Sequence, residues 1–223
     1  MASKEELILW VQGYNEFKKG NWTQAVDHFK QVGGYCRILY NIGMIYTCNN
    51  DHESSIVMYT RSIEVDPYMA VSYFQKANAE WSIRATEEAL ADYATSLKLL
   101  LDNDMIDYKQ LGLDFKLHRC EILFNMGMCY GDMGDDRRME EFVKSALKCS
   151  VTSEQKRFIG STRKDNIFTV PDDQIFNVKD SVRDNLSPKT FLKDGKVALD
   201  ATPIEQSSNF NGFMGASILH PDL

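Results

Sequence analysis

The sequence predicts an all-α solenoid: helix pairs stacked into a right-handed superhelix, with a short hairpin-like insert between the third and fourth pairs. Three observations predict it. Small residues at Ala25, Ser55 and Ala89 each precede an aromatic four positions on, at Phe29, Tyr59 and Tyr93. Ser55 and Ala89 lie 34 residues apart, a spacing typical of repeats built from two helices. Residues 101–115 then break the pattern, with Asp102, Asp104 and Asp107, an isolated Gly112 and apolar side chains that follow no helical period.

Taken in order, residues 4–32 read as two amphipathic helices around a turn at Gly20, with Gly13 and Ala25 small where the helices approach closely. A second pair carries Leu39, Ile42, Gly43 and Tyr46, then Ser55, Tyr59, Ser62 and a closing Pro67. A third places Tyr73, Ala77, Ala89, Tyr93 and Ser96 at the same offsets, and a fourth Leu123, Met126, Gly127, Tyr130, Gly134, Met139, Val143 and Ala146. The pattern resembles the tetratricopeptide repeat. Its aromatics Trp22, Phe29, Tyr46, Tyr59, Tyr93 and Tyr130 are expected in the inter-helix core. Each pair has an apolar face it cannot bury alone, so neighbours stack and leave a concave groove.

Two spacings bend. Ala25 to Ser55 is only 30 residues, which implies a shortened link at Gly33-Gly34. Ala89 to Met139 is 50 residues, one period plus sixteen, and the excess is the insert at 100–116. An insert between repeats costs ordering entropy and adds no repeat contact, so packing or partner recognition must account for it. The repeats occupy residues 1–150.

After Ser150 the composition changes. Four of the five prolines lie there, and the 16 basic and 22 acidic side chains of residues 1–150 give way to a nearly balanced 9 and 10. Apolar clusters at 167–170 and 175–176 flank Pro171 and read as extended segments. Residues 151–199 are therefore expected as an extended tail, with 167–192 lying in the groove and one helical turn near 180–186. From Asp200 onward the Ser, Asn and Gly content suggests disorder.

Bulk properties narrow the class. The chain has 223 residues, 43% of them hydrophobic, and a net charge of −7 without a basic run, which excludes a nucleic-acid partner. Its five cysteines, at 36, 48, 120, 129 and 149, form no Cys-x-x-Cys pair and read as reduced thiols of a cytoplasmic protein. No apolar run approaches the roughly 18 residues of a spanning helix, so direct membrane insertion is not expected. The four histidines are dispersed, without zinc-ligand spacing. Asp194-Gly195-Lys196 lacks a phosphate-binding Gly-rich loop, and the alternating acids of the insert lack calcium-loop spacing. Neither an enzyme site nor a cofactor site assembles.

One run is more specific. Residues 101–117, continuing through Cys120-Glu-Ile-Leu-Phe-Asn125, resemble the cytosolic activator subunit of superoxide-generating NADPH oxidases, the family of the phagocyte oxidase activator and the fungal regulator NoxR. The likeness extends to Tyr40-Asn-Ile-Gly43, to residues 70–75, and to the tail at Val170-Pro171, Ile175-Phe176, Thr190-Phe-Leu, Gly195-Lys196 and Phe210-Asn-Gly-Phe213.

The resemblance implies a non-catalytic adaptor that binds a Rac-type small GTPase in its GTP form and activates a membrane NADPH oxidase flavocytochrome, its partners bringing it to the membrane. The implied GTPase platform is the insert with the loops joining repeats one to two and two to three: Cys36, Arg37, Asp66, Tyr68, Leu101, Asn103, Met105 and Asp107. Three positions depart from the phagocyte pattern, with Leu101 in place of an Arg, Cys36 in place of a Ser and Tyr68 in place of a His. The implied activation segment lies within 200–223, at Ala201, Ile204, Phe210 and Phe213, with an unexpected Pro203. The family's SH3 and PB1 modules have no counterpart in this sequence. Met105, Leu111, Leu113 and Phe115 are expected to anchor the insert, leaving Asn103 and Asp107 outward.

Two other readings use the same fold. A co-chaperone-type adaptor would capture a peptide in the groove through Asn41 and Asn125, but Val71 and Gln75 stand where its cations belong. A structural scaffold is the other.

Overall fold

The structure is a computed structural model and describes residues 2–161, 166–184 and 186. Eight helices form four antiparallel pairs: α1 (Lys4–Lys18) with α2 (Trp22–Val32), α3 (Cys36–Cys48) with α4 (His52–Val65), α5 (Ala70–Ser82) with α6 (Thr86–Leu99), and α7 (Arg119–Asp132) with α8 (Asp136–Cys149). Between α6 and α7 stands the insert, made of β1 (Met105–Asp107), a 3-10 turn (Tyr108–Leu111) and β2 (Lys116–His118). Helices α9 (Ser153–Gly160) and α10 (Asp180–Arg183) follow.

The turn inside every pair is built the same way. Its last residue is Gly20, Asn50, Arg84 or Gly134, with φ of 82°, 58°, 67° and 79°. Each left-handed residue lets the next N–H reach back to a carbonyl five residues earlier, Asn21 to Glu16, Asp51 to Tyr46, Ala85 to Glu80 and Asp135 to Tyr130, all at 2.9 Å. Orphan carbonyls of the first helix are satisfied in this way.

Close packing explains the small residues. A Cβ on Gly13 would lie 2.7 Å from the Phe29 ring, and one on Gly43 would lie 2.7 Å from the Tyr59 ring. Those aromatics come sixteen residues later in the partner helix, as Tyr93 does after Ala77. The serines at the next repeat position tie the second helix of a pair back to the start of its first helix. Ser62 donates to the Cys36 carbonyl at 2.9 Å, and Ser96 to the Ala70 carbonyl at 3.0 Å. Phe29, Tyr59 and Tyr93 are fully buried, whereas Trp22, Tyr46 and Tyr130 are only half-buried.

The chain after Ser150 is not extended from its start. Thr152 and Gln155 form a capping box that opens α9, whose Ile159 and Phe158 pack on Phe124 and Met128 of α7. Thr152-x-x-Gln155 is a recognisable helix start, and it covers the apolar face left by the last repeat.

Residues 166–178 then run along the first helices of the pairs, in the direction opposite to the repeats. The Asn125 side chain accepts from the Phe168 N–H at 2.8 Å and donates to the Phe168 carbonyl at 2.9 Å. Asn41 brackets Phe176 identically, at 2.8 and 2.7 Å, and Gln75 accepts from the Val170 N–H at 3.3 Å. Val170, Ile175, Phe176 and Val178 are buried. Residues 187–192, and the positions Ala201, Ile204, Phe210 and Phe213, lie outside the described residues.

Candidate partner interface

The insert begins where α6 ends. Leu101 is in the left-handed region, at φ 54°, and the chain turns away from the helix axis there. The loop that follows is organised by one side chain not expected from the sequence, Arg119, the first residue of α7. Its guanidinium donates to the carbonyls of Leu101 and Asn103, and its own N–H donates to the Asp104 carbonyl at 2.8 Å. The Asn103 side chain donates to the Leu100 carbonyl at 3.1 Å.

Strand alternation sorts the hairpin. Met105 pairs with His118, Ile106 with Leu117 and Asp107 with Lys116. The middle pair faces inward, with Leu117 fully buried, so Met105 and Asp107 must share the outward face. Met105 is 40% exposed and Leu111 42%, which corrects their expected role as anchors. Leu113 is fully buried as expected, and Phe115 packs partly against the core. The principal anchor is Tyr108. It is buried, its ring meets Phe176 edge-on at 6.2 Å, and its hydroxyl accepts from the Val71 N–H at 3.0 Å.

Asp107 caps the 3-10 turn by accepting from the Lys109 N–H at 2.9 Å, and its other oxygen lies 3.4 Å from Lys116 Nζ. The Lys109 amide, then Lys116, hold this exposed carboxyl below the usual carboxylate range. It therefore stays anionic at any ordinary pH.

The neighbouring turns close on the insert. Asp66, just after α4, accepts from the Tyr68 N–H at 3.0 Å, and Tyr68 projects into solvent with 81% exposure. Cys36 is half-buried at the start of α3, and burial, then the Asp66 carboxylate, push its thiol pKa up. Arg37 donates to the Leu111 carbonyl at 3.0 Å while its guanidinium lies 5.0 Å from the Trp10 ring centre, so it braces the insert. Leu101, at 73% exposure, stands at the far end of the platform. Tyr68, Leu101, Met105 and Leu111 are thus exposed apolar side chains on the insert and on the turn after α4, and exposed apolar area of this kind suits a protein partner.

Among the described residues no group of three or more His, Cys, Asp or Glu is placed to hold a metal ion, and no helix is long and apolar enough to cross a membrane.

Fold and insert together define a tetratricopeptide-repeat protein with a β-hairpin set between its third and fourth helix pairs. The tetratricopeptide-repeat family model matches residues 37–68. The "Crystal structure of MamA protein" shares the fold at TM-score 0.54 and 16% identity, covering 75% of this chain and 80% of that one. Neutrophil cytosol factor 2 of Bos taurus is 32% identical over 96% of this chain and 41% of its own length. The NADPH oxidase activator of Dictyostelium discoideum is 31% identical over 72% of this chain and 26% of its own. This is a tetratricopeptide-repeat domain homologous, over nearly its whole length, to neutrophil cytosol factor 2 and, over 72% of it, to the NADPH oxidase activator of Dictyostelium discoideum. It spans about two fifths of the length of the bovine relative.

Proposed function

We propose that the chain is a non-catalytic adaptor that binds a GTP-loaded Rac-type GTPase on the insert and relays this signal to a membrane NADPH oxidase. The observation that carries the reading is the insert itself. It is a hairpin anchored from beneath by Tyr108, Leu113 and Leu117, which leaves Asp107 and Met105 on its outward face. Homology to proteins named NADPH oxidase activators supplies the class of pathway. A GTPase switch is ordered by its γ-phosphate, so a rigid surface that fits only the ordered switch binds one nucleotide state preferentially.

Within this reading Asp107 and Asp66 are the polar contacts, Asn103 and its loop complete the rim, and Tyr68, Leu101 and Met105 supply apolar area. Cys36 and Arg37 act from below, Arg37 by holding Leu111. Oxidase activation falls to the segment with Ala201, Ile204, Phe210 and Phe213. A peptide-capturing role for the groove is disfavoured, because Asn41 and Asn125 are engaged by Phe176 and Phe168.

Isothermal titration of the purified chain against GTP- and GDP-loaded Rac tests the proposal. Binding should be confined to the GTP form, and Asp107→Ala or Asp66→Ala should each weaken it at least about tenfold, the scale of an interface hot spot. Equal affinity for the two nucleotide states, or full affinity in Asp107→Ala, refutes the site.

A further inference from the structure

The last residues of the docked tail touch the insert as well as the repeats. The Asn177 N–H donates to the Gly112 carbonyl at 2.9 Å. Gly112 has φ +97°, and a Cβ there would lie 2.1 Å from the Asn177 carbonyl oxygen, so the two backbones meet only because position 112 lacks a side chain. One residue earlier, the fully buried Phe176 ring lies edge-on to Tyr40 at 5.0 Å and to Tyr108 at 6.2 Å. Its carbonyl is held by the Trp10 indole N–H at 2.9 Å and by Asn41 at 2.7 Å.

Two chains of contact therefore join Phe176 to the insert. One is direct, through Tyr108, whose hydroxyl caps α5. The other passes from Trp10 to Arg37, stacked on its ring, and on to the Leu111 carbonyl. What lies above is only a hairpin with three residues per strand. A two-stranded hairpin of this kind is marginal without packing beneath it.

We propose that tail residues 175–178 are the positioning element of the insert, so that affinity for the GTPase is coupled to the tail's occupancy of the groove. The proposal rests on the GTPase reading of the insert. Displacement of the tail by another extended segment lowers GTPase affinity, and GTPase binding tightens the tail by the same factor, because coupling free energy is reciprocal. The asparagine clamps at Asn41 and Asn125 grip main-chain amides, so a competing segment needs an extended backbone with apolar side chains at the places of Phe168 and Phe176.

The test uses the full chain with Phe176→Ala and two measurements. The first is amide hydrogen exchange in the free protein. Exchange across 105–118 should rise at least about tenfold, within the usual range of such coupling, while amides of α2 and α4 keep their protection. The second is affinity for GTP-loaded Rac, which should fall by a similar factor and be partly restored by a synthetic peptide of residues 166–178. If Phe176→Ala exposes the tail amides but leaves the hairpin protected, the coupling is refuted.

Should Phe176→Ala fail to fold, Gly112→Ala breaks the same contact from the insert side. It should expose the Asn177 amide and the hairpin together, and unchanged protection there refutes the proposal. If the unaltered protein binds no GTPase, the functional reading fails, and the exchange result still decides whether the tail positions the insert.

Discussion

Replacing Tyr108 with Phe removes one oxygen atom and leaves the ring that packs against Phe176 in place. The oxygen matters because of the group it satisfies. Val71 is the second residue of α5, where helix N–H groups have no intrahelical acceptor. It is fully buried, and its N–H donates to the Tyr108 hydroxyl at 3.0 Å. Burial pushes the phenol pKa well above its ordinary value, so the hydroxyl is neutral wherever the protein is folded. Deleting it orphans a buried donor without opening a ring-sized cavity, which costs about 1–3 kcal/mol. For a domain of this size each kcal/mol lowers the melting temperature by about 2–4 °C. Thermal unfolding of Tyr108→Phe should therefore fall by roughly 2–12 °C, and the Val71 amide should exchange faster than its helical neighbours. Tyr108→Ala adds the loss of the ring, about 3–5 kcal/mol in total for a buried aromatic. A Tyr108→Phe protein that melts with the parent and protects the Val71 amide equally would refute the idea that the insert caps α5.

Gly43→Ala forces a methyl against the Tyr59 ring and should cost about 1–3 kcal/mol by overpacking, whereas Gly34→Ala, with nothing within 4 Å of the added Cβ, should be neutral or slightly stabilising in the same melting assay. If the proposed GTPase reading holds, Leu101→Arg should raise affinity for GTP-loaded Rac severalfold by placing there the cation that the family resemblance implies, and calorimetry showing no gain would mean the partner surface offers no anion there. Glu121 is buried, and desolvation outweighs the hydrogen bonds from Gln155 and the His118 N–H to push its carboxyl up to about 7 from 4.5. Below about pH 4.5 both folded and unfolded carboxyls are protonated; above it the unfolded chain ionises first, so stability declines until pH passes about 7 and then levels off. Glu121→Gln should reduce that decline, to which Glu80, also pushed up to about 7 chiefly by desolvation, contributes over the same range; melting temperatures that fall in parallel with the parent's would show that the Glu121 carboxyl is already ionised.

The outward face of the insert was partly legible in the residues, but not how the insert is held. The alternation of Met105, Ile106 and Asp107 places Asp107 outward once a strand is assumed. Nothing local shows that residues 105–107 are a strand, because their partners, Lys116, Leu117 and His118, lie across the turn. Met105 and Leu111 were expected as anchors from hydrophobicity alone. The structure turns both outward and gives the anchoring to Tyr108, whose polar tip finds an orphan helix amide. Arg119 carries no sequence signal for its task, since its acceptors are main-chain carbonyls that any residues could supply. The capping box at Thr152 and Gln155 was a local signal of α9, overlooked because the surrounding composition reads as tail.

The sequence by itself determined the repeats. Small and aromatic positions must recur with the helical pair because Gly13 and Gly43 leave room only for the rings that follow them sixteen residues later. It also determined that something foreign was inserted after the third pair. Tertiary structure alone decided that Phe168 and Phe176 are bracketed by Asn125 and Asn41, and that Asn177 lies against Gly112. The physical reason is distance along the chain. Helix pairs are specified by contacts between near neighbours and leave a period in the sequence. The tail and insert meet through a main-chain hydrogen bond across 65 positions, from Gly112 to Asn177, and although the missing side chain at 112 permits that approach, it carries no sign of which distant backbone will make it.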